Sequence, residues 1–327
     1  MGDSASVIRW GILGCGKIAH KFAQDLLTIP NAKLQAVASR SLGKSTIFGN
    51  EYNSLKNYGS YKELCTDDTI DVIYIATPHS FHFEHTMLCL NQSKAVLCEK
   101  PFALNSNQVV QMIALAKKKN VFLMEAMWTL FLPHYQYVLN LIQSRELGDI
   151  THLKADFGYQ FDFDAQSRVY NKSLGGGSLL DIGIYPVFTA LSMLGIPGTI
   201  EAKAKMSSTD VDENCKMLFQ YKNGVEAELY SSVVYDTKTE AIITFEKGTV
   251  LIHSMFHEPS RLTIETENGV EEKTFEVRTN GYSFEAAHVN EMLLNNRKES
   301  TLMSFDMSLQ LIQLLDRIRD EIGLEYN

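Results

Sequence analysis

A chain of 327 residues, 45% hydrophobic and 21% charged, has room for two domains, each with its own core. Its formal net charge of −9, with no basic run and no interleaving of aromatic and basic residues, argues against nucleic acid as a partner. No stretch reads as a membrane span or signal peptide, and five cysteines without a CxxC pair read as reduced cytoplasmic thiols rather than disulfides or a zinc site.

The opening residues place Gly2 and Ser6 in a myristoylation-like pattern, but they read more simply as a short unstructured leader. Residues 7–22, VIRWGILGCGKIAHKF, are an apolar run followed by helix formers, the pattern of a buried strand turning tightly into a helix. Gly14, Gly16 and Ala19 lie between them as G-x-G-x-x-A, the dinucleotide-binding spacing. Gly14 lets the backbone fold back, Gly16 has no Cβ to hold a pyrophosphate off the main-chain amides, and Ala19 lets the helix lie close to the strand. The pyrophosphate is expected on the helix N-terminus, with Lys17 and Ile18 in the same turn.

A second strand over 33–39 ends at Ser39-Arg40-Ser41. In the NAD form of this fold an acidic residue near this place binds the ribose. Hydroxyls and cations stand here instead, so Ser39, Arg40 and Lys44 are expected to hold a 2′-phosphate, favouring NADP over NAD. Residues 70–77, IDVIYIAT, form a buried parallel strand, followed by a helix over 81–91. A strand over 95–98, a helix over 106–119 and a strand over 121–126 complete a βα alternation, which predicts a doubly wound parallel sheet over 1–126. Ligands bind such sheets at the carboxyl ends of the strands. Thr77, Pro78 and His79 fall there, as do Glu99 and Lys100, and His82 is expected to line the same crevice.

From residue 127 to 327 a second domain is expected. A helix over 134–145 leads to a strand over 151–158, a polar loop over 162–172, and a long helix over 178–194 opened by Gly175-Gly176-Gly177. Strands over 200–206, 215–221, 225–234, 240–245, 248–252, 261–266 and 271–277, with hairpin turns at Asn223-Gly224 and Asn268-Gly269, predict a mostly antiparallel open sheet. Helices over 283–295 and 303–322 close the chain. Val233, Ile243, Phe245, Leu251 and Ile264 suggest a second apolar face on that sheet, and so a homodimer through it.

Lys100 stands at a strand end facing the expected crevice, where burial lowers a lysine's pKa towards acid–base work. Asp181 and Tyr185 are four apart on one helix and so share a face; a phenol near an ammonium group exchanges a proton with an alcohol more readily. His79, His82 and His85 lack the spacing of a zinc site, so no metal is expected. The chain has neither a G-x-S-x-G elbow nor a P-loop, which argues against an esterase or a kinase.

GILGCGKIA, ATPHSFH, CEKPFALN, MEAMWTLFLP, GGGSLLDIGIYP and SLQLIQLLDRIR, in this order, resemble the glucose-fructose oxidoreductase, inositol dehydrogenase and MocA (Gfo/Idh/MocA) family. The chain is most similar to its branch of dimeric dihydrodiol and NADP-dependent D-xylose dehydrogenases. The resemblance implies an N-terminal Rossmann domain, a C-terminal α/β domain with an open sheet, and hydride transfer between NADP and a hydroxyl of a sugar, polyol or vicinal diol. It carries the catalytic lysine onto Lys100 and the D-x-x-x-Y pair onto Asp181 and Tyr185, where many relatives have His in the last place. Trp128 matches a wall of the substrate pocket, to which Phe157 and Arg168 are assigned as well. Leu130 stands where the branch often has Arg, leaving the identity of the sugar or diol open. A non-catalytic NADP sensor and a sugar–sugar oxidoreductase with tightly held NADP are the alternatives.

Overall fold

The apolar runs of the first third of the chain become parallel strands because both of their faces are covered. In the computed structural model, which describes residues 7–326, β1 (Ile8–Leu13), β2 (Ala32–Ala38), β3 (Lys56–Tyr58), β4 (Val72–Ile75), β5 (Ala95–Glu99) and β6 (Leu123–Ala126) form one sheet in the order β3-β2-β1-β4-β5-β6. Every pairing in it is parallel. Gly2 and Ser6 lie outside the described residues. The connections run through α1 (Lys17–Leu26), α2 (Leu42–Glu51), α3 (Tyr61–Cys65), α4 (His82–Asn91) and α5 (Ser106–Lys119). This is the doubly wound architecture expected from the βα alternation.

Three of its elements were not expected from the sequence, two of them for want of any clear signal. β3 is three residues without alternation, and α2 carries two glycines and no apolar stripe. The five-residue α3 does have a legible start. Ser60 Oγ accepts from the Glu63 amide at 3.3 Å and donates to the Glu63 carboxylate at 2.7 Å, a capping pair readable as S-x-x-E.

The second sheet holds β7 (Ile150–Gly158), β8 (Thr199–Met206), β9 (Asp212–Gln220), β10 (Glu226–Ser232), β11 (Ala241–Phe245), β12 (Gly248–Ile252), β13 (Leu262–Thr266) and β14 (Gly269–Lys273), after the helix α6 (Pro133–Ser144). Its order is β14-β13-β12-β11-β7-β10-β9-β8. The expected hairpins are present, but β7 and β10 pair in parallel at the centre. The last strand ends at Lys273 rather than 277. The helix read over 178–194 is two pieces, a π-helical turn at Leu179–Gly183 and then α7 (Ile184–Leu194). Pro186 explains the break: it lacks an N–H to bond back into the preceding turn, so it sits in the first turn of a new helix. α7 packs on β7 and β10, and its Ser192 hydroxyl meets that of Tyr135 in α6 at 2.6 Å.

The helical segment 172–194 is long and apolar enough for a membrane span by length and composition, which corrects the first reading. Yet 89% of its most apolar window is buried in the protein, so the core accounts for its apolarity. The register of the sheet also corrects the face assignment. Ile243 pairs with Leu153 and Val250, and Val250 with Ile264. These residues, with Val233 and Phe245, are buried in the covered face, and of the five residues proposed for the open face Leu251 alone is not buried.

After β14 the chain enters α8 (Tyr282–Leu294) and α9 (Phe305–Ile322). The chain divides into two compact units. One unit runs through Leu130 and takes back Val277–Leu309, and the other holds Phe131–Glu276 with the chain from Gln310 onward. Side chains explain the return. The buried Trp10 indole on β1 donates to Asn290 in α8 at 2.9 Å. Asp25 of α1 accepts from the Asn280 amide at 2.9 Å and the Ser283 amide at 3.1 Å, capping α8 from a distance. Replacing Asp25 by Ala is expected to lower unfolding stability by about 1–2 kcal/mol, read by urea denaturation, with faster amide exchange at the start of α8.

Candidate active site

In the first unit, β1 hands over to α1 through Gly14, whose φ is +101° and whose amide donates to the Ala38 carbonyl at 2.9 Å. A Cβ there would lie 2.8 Å from the Ala76 carbonyl oxygen, so glycine is required on both counts. Gly16 caps α1 in an extended conformation with no side chain bonded to the helix end. Gly16 and Lys17 are exposed, Ile18 is half-buried and Ala19 is enclosed. The first amides of α1 are thus left for a ligand, which is what an anion needs at a helix N-terminus.

At the end of β2, Ser39 is buried, and its Oγ accepts from the Ser41 amide at 3.4 Å. Arg40 and Lys44 are exposed beside it. Burial chiefly holds His85 down to about 4, and the charge of Arg40 lowers it further. Burial pushes the Cys15 thiol up to about 11, against the pull of Lys44. Both cations therefore bear electrostatically on groups around the glycine turn and the end of β4. They meet the need of a phosphate for positive charge.

Thr77 and Pro78 are half-buried after β4, and Thr77 Oγ1 lies 3.0 Å from His85 Nδ1. His79 is 8% exposed. His82 departs from its expected place. It is wholly enclosed, with its ring nitrogens 2.8 Å from the Thr77 carbonyl and 2.7 Å from the Pro101 carbonyl. Burial holds its pKa down to about 4. It is packed between two strand-end turns, and as a neutral ring its one N–H donates to one of the two carbonyls. Among the described residues no group of three or more His, Cys, Asp or Glu is disposed to hold a metal ion, and all five cysteines are free thiols.

The second of those turns carries Glu99 and Lys100. Glu99 accepts from the Tyr74 hydroxyl and, at 3.3 Å, from the Lys100 amide. Lys100 is half-buried. Two further carboxyls lie in this interior. Burial raises Glu125 to about 7, and Glu285 is raised well above the carboxylate range by burial and by the charges of Glu99 and Asp25. Trp128 is almost enclosed and stacks on Tyr282 with centroids 4.2 Å apart and planes 3° apart. Leu130 is 4% exposed. That burial suits Leu better than Arg.

In the second unit the glycine run brings a loop and a helix start together. Gly177 has φ +116°, its amide donates to the Val169 carbonyl at 2.8 Å, and a Cβ would fall 2.2 Å from Asp212 Oδ1. Asp212 accepts from Ser178 Oγ at 2.6 Å and the Leu179 amide at 2.7 Å, yet burial raises it to about 6. Next to Val169, the half-exposed Arg168 donates to the buried Asp181 at 2.7 Å. Tyr185 follows one turn on, 6% exposed. Its ring centroid lies 5.7 Å from that of Phe157 and 4.8 Å from that of His257, which in turn stacks on Phe157 at 4.2 Å. Arg168 and Asp181 therefore form one pair, and Phe157, Tyr185 and His257 form one group of rings. His257 and Tyr282 were missed, because each joins its ring partners from a distant segment with no motif of its own.

Residues 8–127 match the family model described as oxidoreductase family, NAD-binding Rossmann fold, and residues 135–251 match the GFO/IDH/MocA C-terminal domain. The chain is 37% identical to trans-1,2-dihydrobenzene-1,2-diol dehydrogenase of Xenopus tropicalis, over 97% of this chain and 99% of that one. Among solved structures it is similar to the 3-ketoreductase KijD10 from Actinomadura kijaniata in complex with NADP and TDP-benzene, with 24% identity and a TM-score of 0.88 over 97% and 98% of the two chains. It is also similar to the aldose-aldose oxidoreductase from Caulobacter crescentus complexed with glycerol, with 22% identity, a TM-score of 0.89 and the same coverage. Replacing Gly14 by Ala is expected to weaken NADPH and NADH binding together by tenfold or more, about 1.4 kcal/mol, in a fluorescence titration.

Proposed function

The chain belongs to the Gfo/Idh/MocA oxidoreductase family, and from that premise we infer that it is an NADP-dependent dehydrogenase of vicinal diols or sugars. The observation that carries this reading is the cluster in the second unit: a buried phenol, Tyr185, one turn beyond a buried carboxylate, Asp181, that is fixed by Arg168. The full-length similarity to a diol dehydrogenase supports the substrate class.

Bound NADP would supply hydride chemistry; this chain supplies binding, orientation and proton movement. The uncapped start of α1, with Gly14, Gly16, Lys17, Ile18 and Ala19, suits the pyrophosphate. Arg40 and Lys44 suit a 2′-phosphate, with Ser39 holding the turn, and no acidic residue stands between 39 and 44 to take a ribose diol instead. Thr77, Pro78, His79 and Glu99 complete the strand ends on that side. Tyr185 takes or returns the proton of the substrate hydroxyl, and Lys100 is the lysine that the family resemblance assigns to the same acid–base work. Asp181 holds the neighbouring hydroxyl. Trp128 in the first unit and Phe157 in the second are each apolar rings of the kind that packs on an arene or a sugar ring.

The five free thiols support a cytoplasmic place, and we expect neither nucleic acid nor membrane as a partner. A homodimer through the open face of the large sheet rests on Leu218, Ile242 and Leu251, the half-buried apolar residues of that face. With trans-1,2-dihydrobenzene-1,2-diol and D-xylose as probes, Tyr185→Phe is expected to lower kcat by about 10²–10⁴-fold while NADPH binds as before; unchanged turnover would remove Tyr185 from the chemistry. Arg40→Ala should weaken NADPH by about tenfold, near 1.4 kcal/mol, and leave NADH unaffected.

A further inference from the structure

The stretch that ends in Trp128 also contains Glu125, which has no task in the chemistry proposed above. Glu125 is the third residue of β6 and faces Cys98 across the β5–β6 register, while Ala126 faces Glu99. It is 2% exposed. Its Oε1 accepts from the Phe102 amide at 2.9 Å, two residues beyond Lys100. Its Oε2 is buried, with the Ser308 hydroxyl of α9 beside the carboxyl.

An acceptor for one amide does not need to be an acid. A glutamine carbonyl would do the same with a far smaller desolvation cost, because an amide has no charge to strip of water. What the carboxyl adds is a negative charge near the turn that holds Lys100, whose own charge bears on Glu125. We propose that Glu125 is the positioning residue of Lys100: one oxygen pins the turn through Phe102, and the charge on the group keeps the Lys100 ammonium protonated in a half-buried place. This rests on the acid–base role given to Lys100 above.

The titratable groups around Glu125 are few. β5 brings Cys98, held neutral by burial, and Glu99, whose charge Tyr74 and the Lys100 amide bind. α9 brings Ser308, which together with the Phe102 amide favours the carboxylate. Glu285 of α8 bears on Glu99, and burial with the charges of Glu99 and Asp25 raises it. Glu125 thus passes from acid to carboxylate near neutrality, releasing its proton to solvent. Above that point its charge raises the pH at which Lys100 loses its own proton; below it, Lys100 is charged in any case.

The test needs no substrate. In the full-length protein, the pH dependence of Lys100 acetylation by acetic anhydride, read by peptide mass spectrometry, gives the midpoint of amine deprotonation. Glu125→Gln keeps the acceptor for Phe102 and removes the charge. The midpoint is expected to fall by about one pH unit; an unchanged midpoint overturns the proposal. Should that variant not fold, Lys100→Met probes the pair from the other side. The Glu125 carboxyl, followed by carbon-13 NMR, should then titrate at least about half a unit higher, and no shift overturns the proposal. Lys100→Met also separates the two ideas, since turnover equal to wild type removes Lys100 from catalysis whatever the labelling shows.

Discussion

The pass of Gly14 under the Ala76 carbonyl is the constraint on which the first unit depends. With 2.8 Å to the nearest oxygen and a φ of +101°, no side chain fits, so β1 can turn into α1 within three residues and leave the helix N-terminus open. The same pass sets the end of β4 against the turn. His82 then sits between the Thr77 and Pro101 carbonyls, its single N–H donating to one of them, and so packs the Lys100 turn against the end of β4. Gly177 does comparable work in the second unit, where the lack of a Cβ lets Asp212 seat the start of the π-helical turn and brings Arg168 to Asp181.

Burial decides the charge state of what surrounds these turns. Glu125, Asp212 and Glu285 are raised and His82 and His85 are lowered, in each case mainly because a dry interior disfavours charge. Burial thus shifts each of these groups towards its neutral form. The charges that a dinucleotide would meet, Lys17, Arg40 and Lys44, stand exposed. Such a division suits phosphate binding, because surface cations need no internal partner, whereas a buried one would.

The large sheet illustrates how parity governs a face. Its eight strands alternate between a covered and an open side, so a shift of one residue exchanges them. Ile243, Phe245 and Ile264 are as apolar as any candidate for a docking face, but their register with Leu153 and Val250 places them in the core. The open side keeps Glu201, Lys154 and Glu228 around Leu218 and Ile242.

Residues 7–22, the apolar run at 70–77, the hairpin turns and the family motifs determined the two sheets, the nucleotide turn and the Asp181–Tyr185 neighbourhood without coordinates. These features are local: a turn needs its glycine, and a strand buried on both sides needs an unbroken apolar run. What the tertiary structure alone decided is long-range. The return of α8 to the first unit depends on Asp25 and Asn290 meeting partners more than two hundred residues away. The parallel pairing of β7 with β10, the enclosed place of His82, and the pairing of His257 with Phe157 and Tyr185 follow from packing. Periodicity records which residues avoid water, and burial against a particular neighbour leaves no separate mark on it.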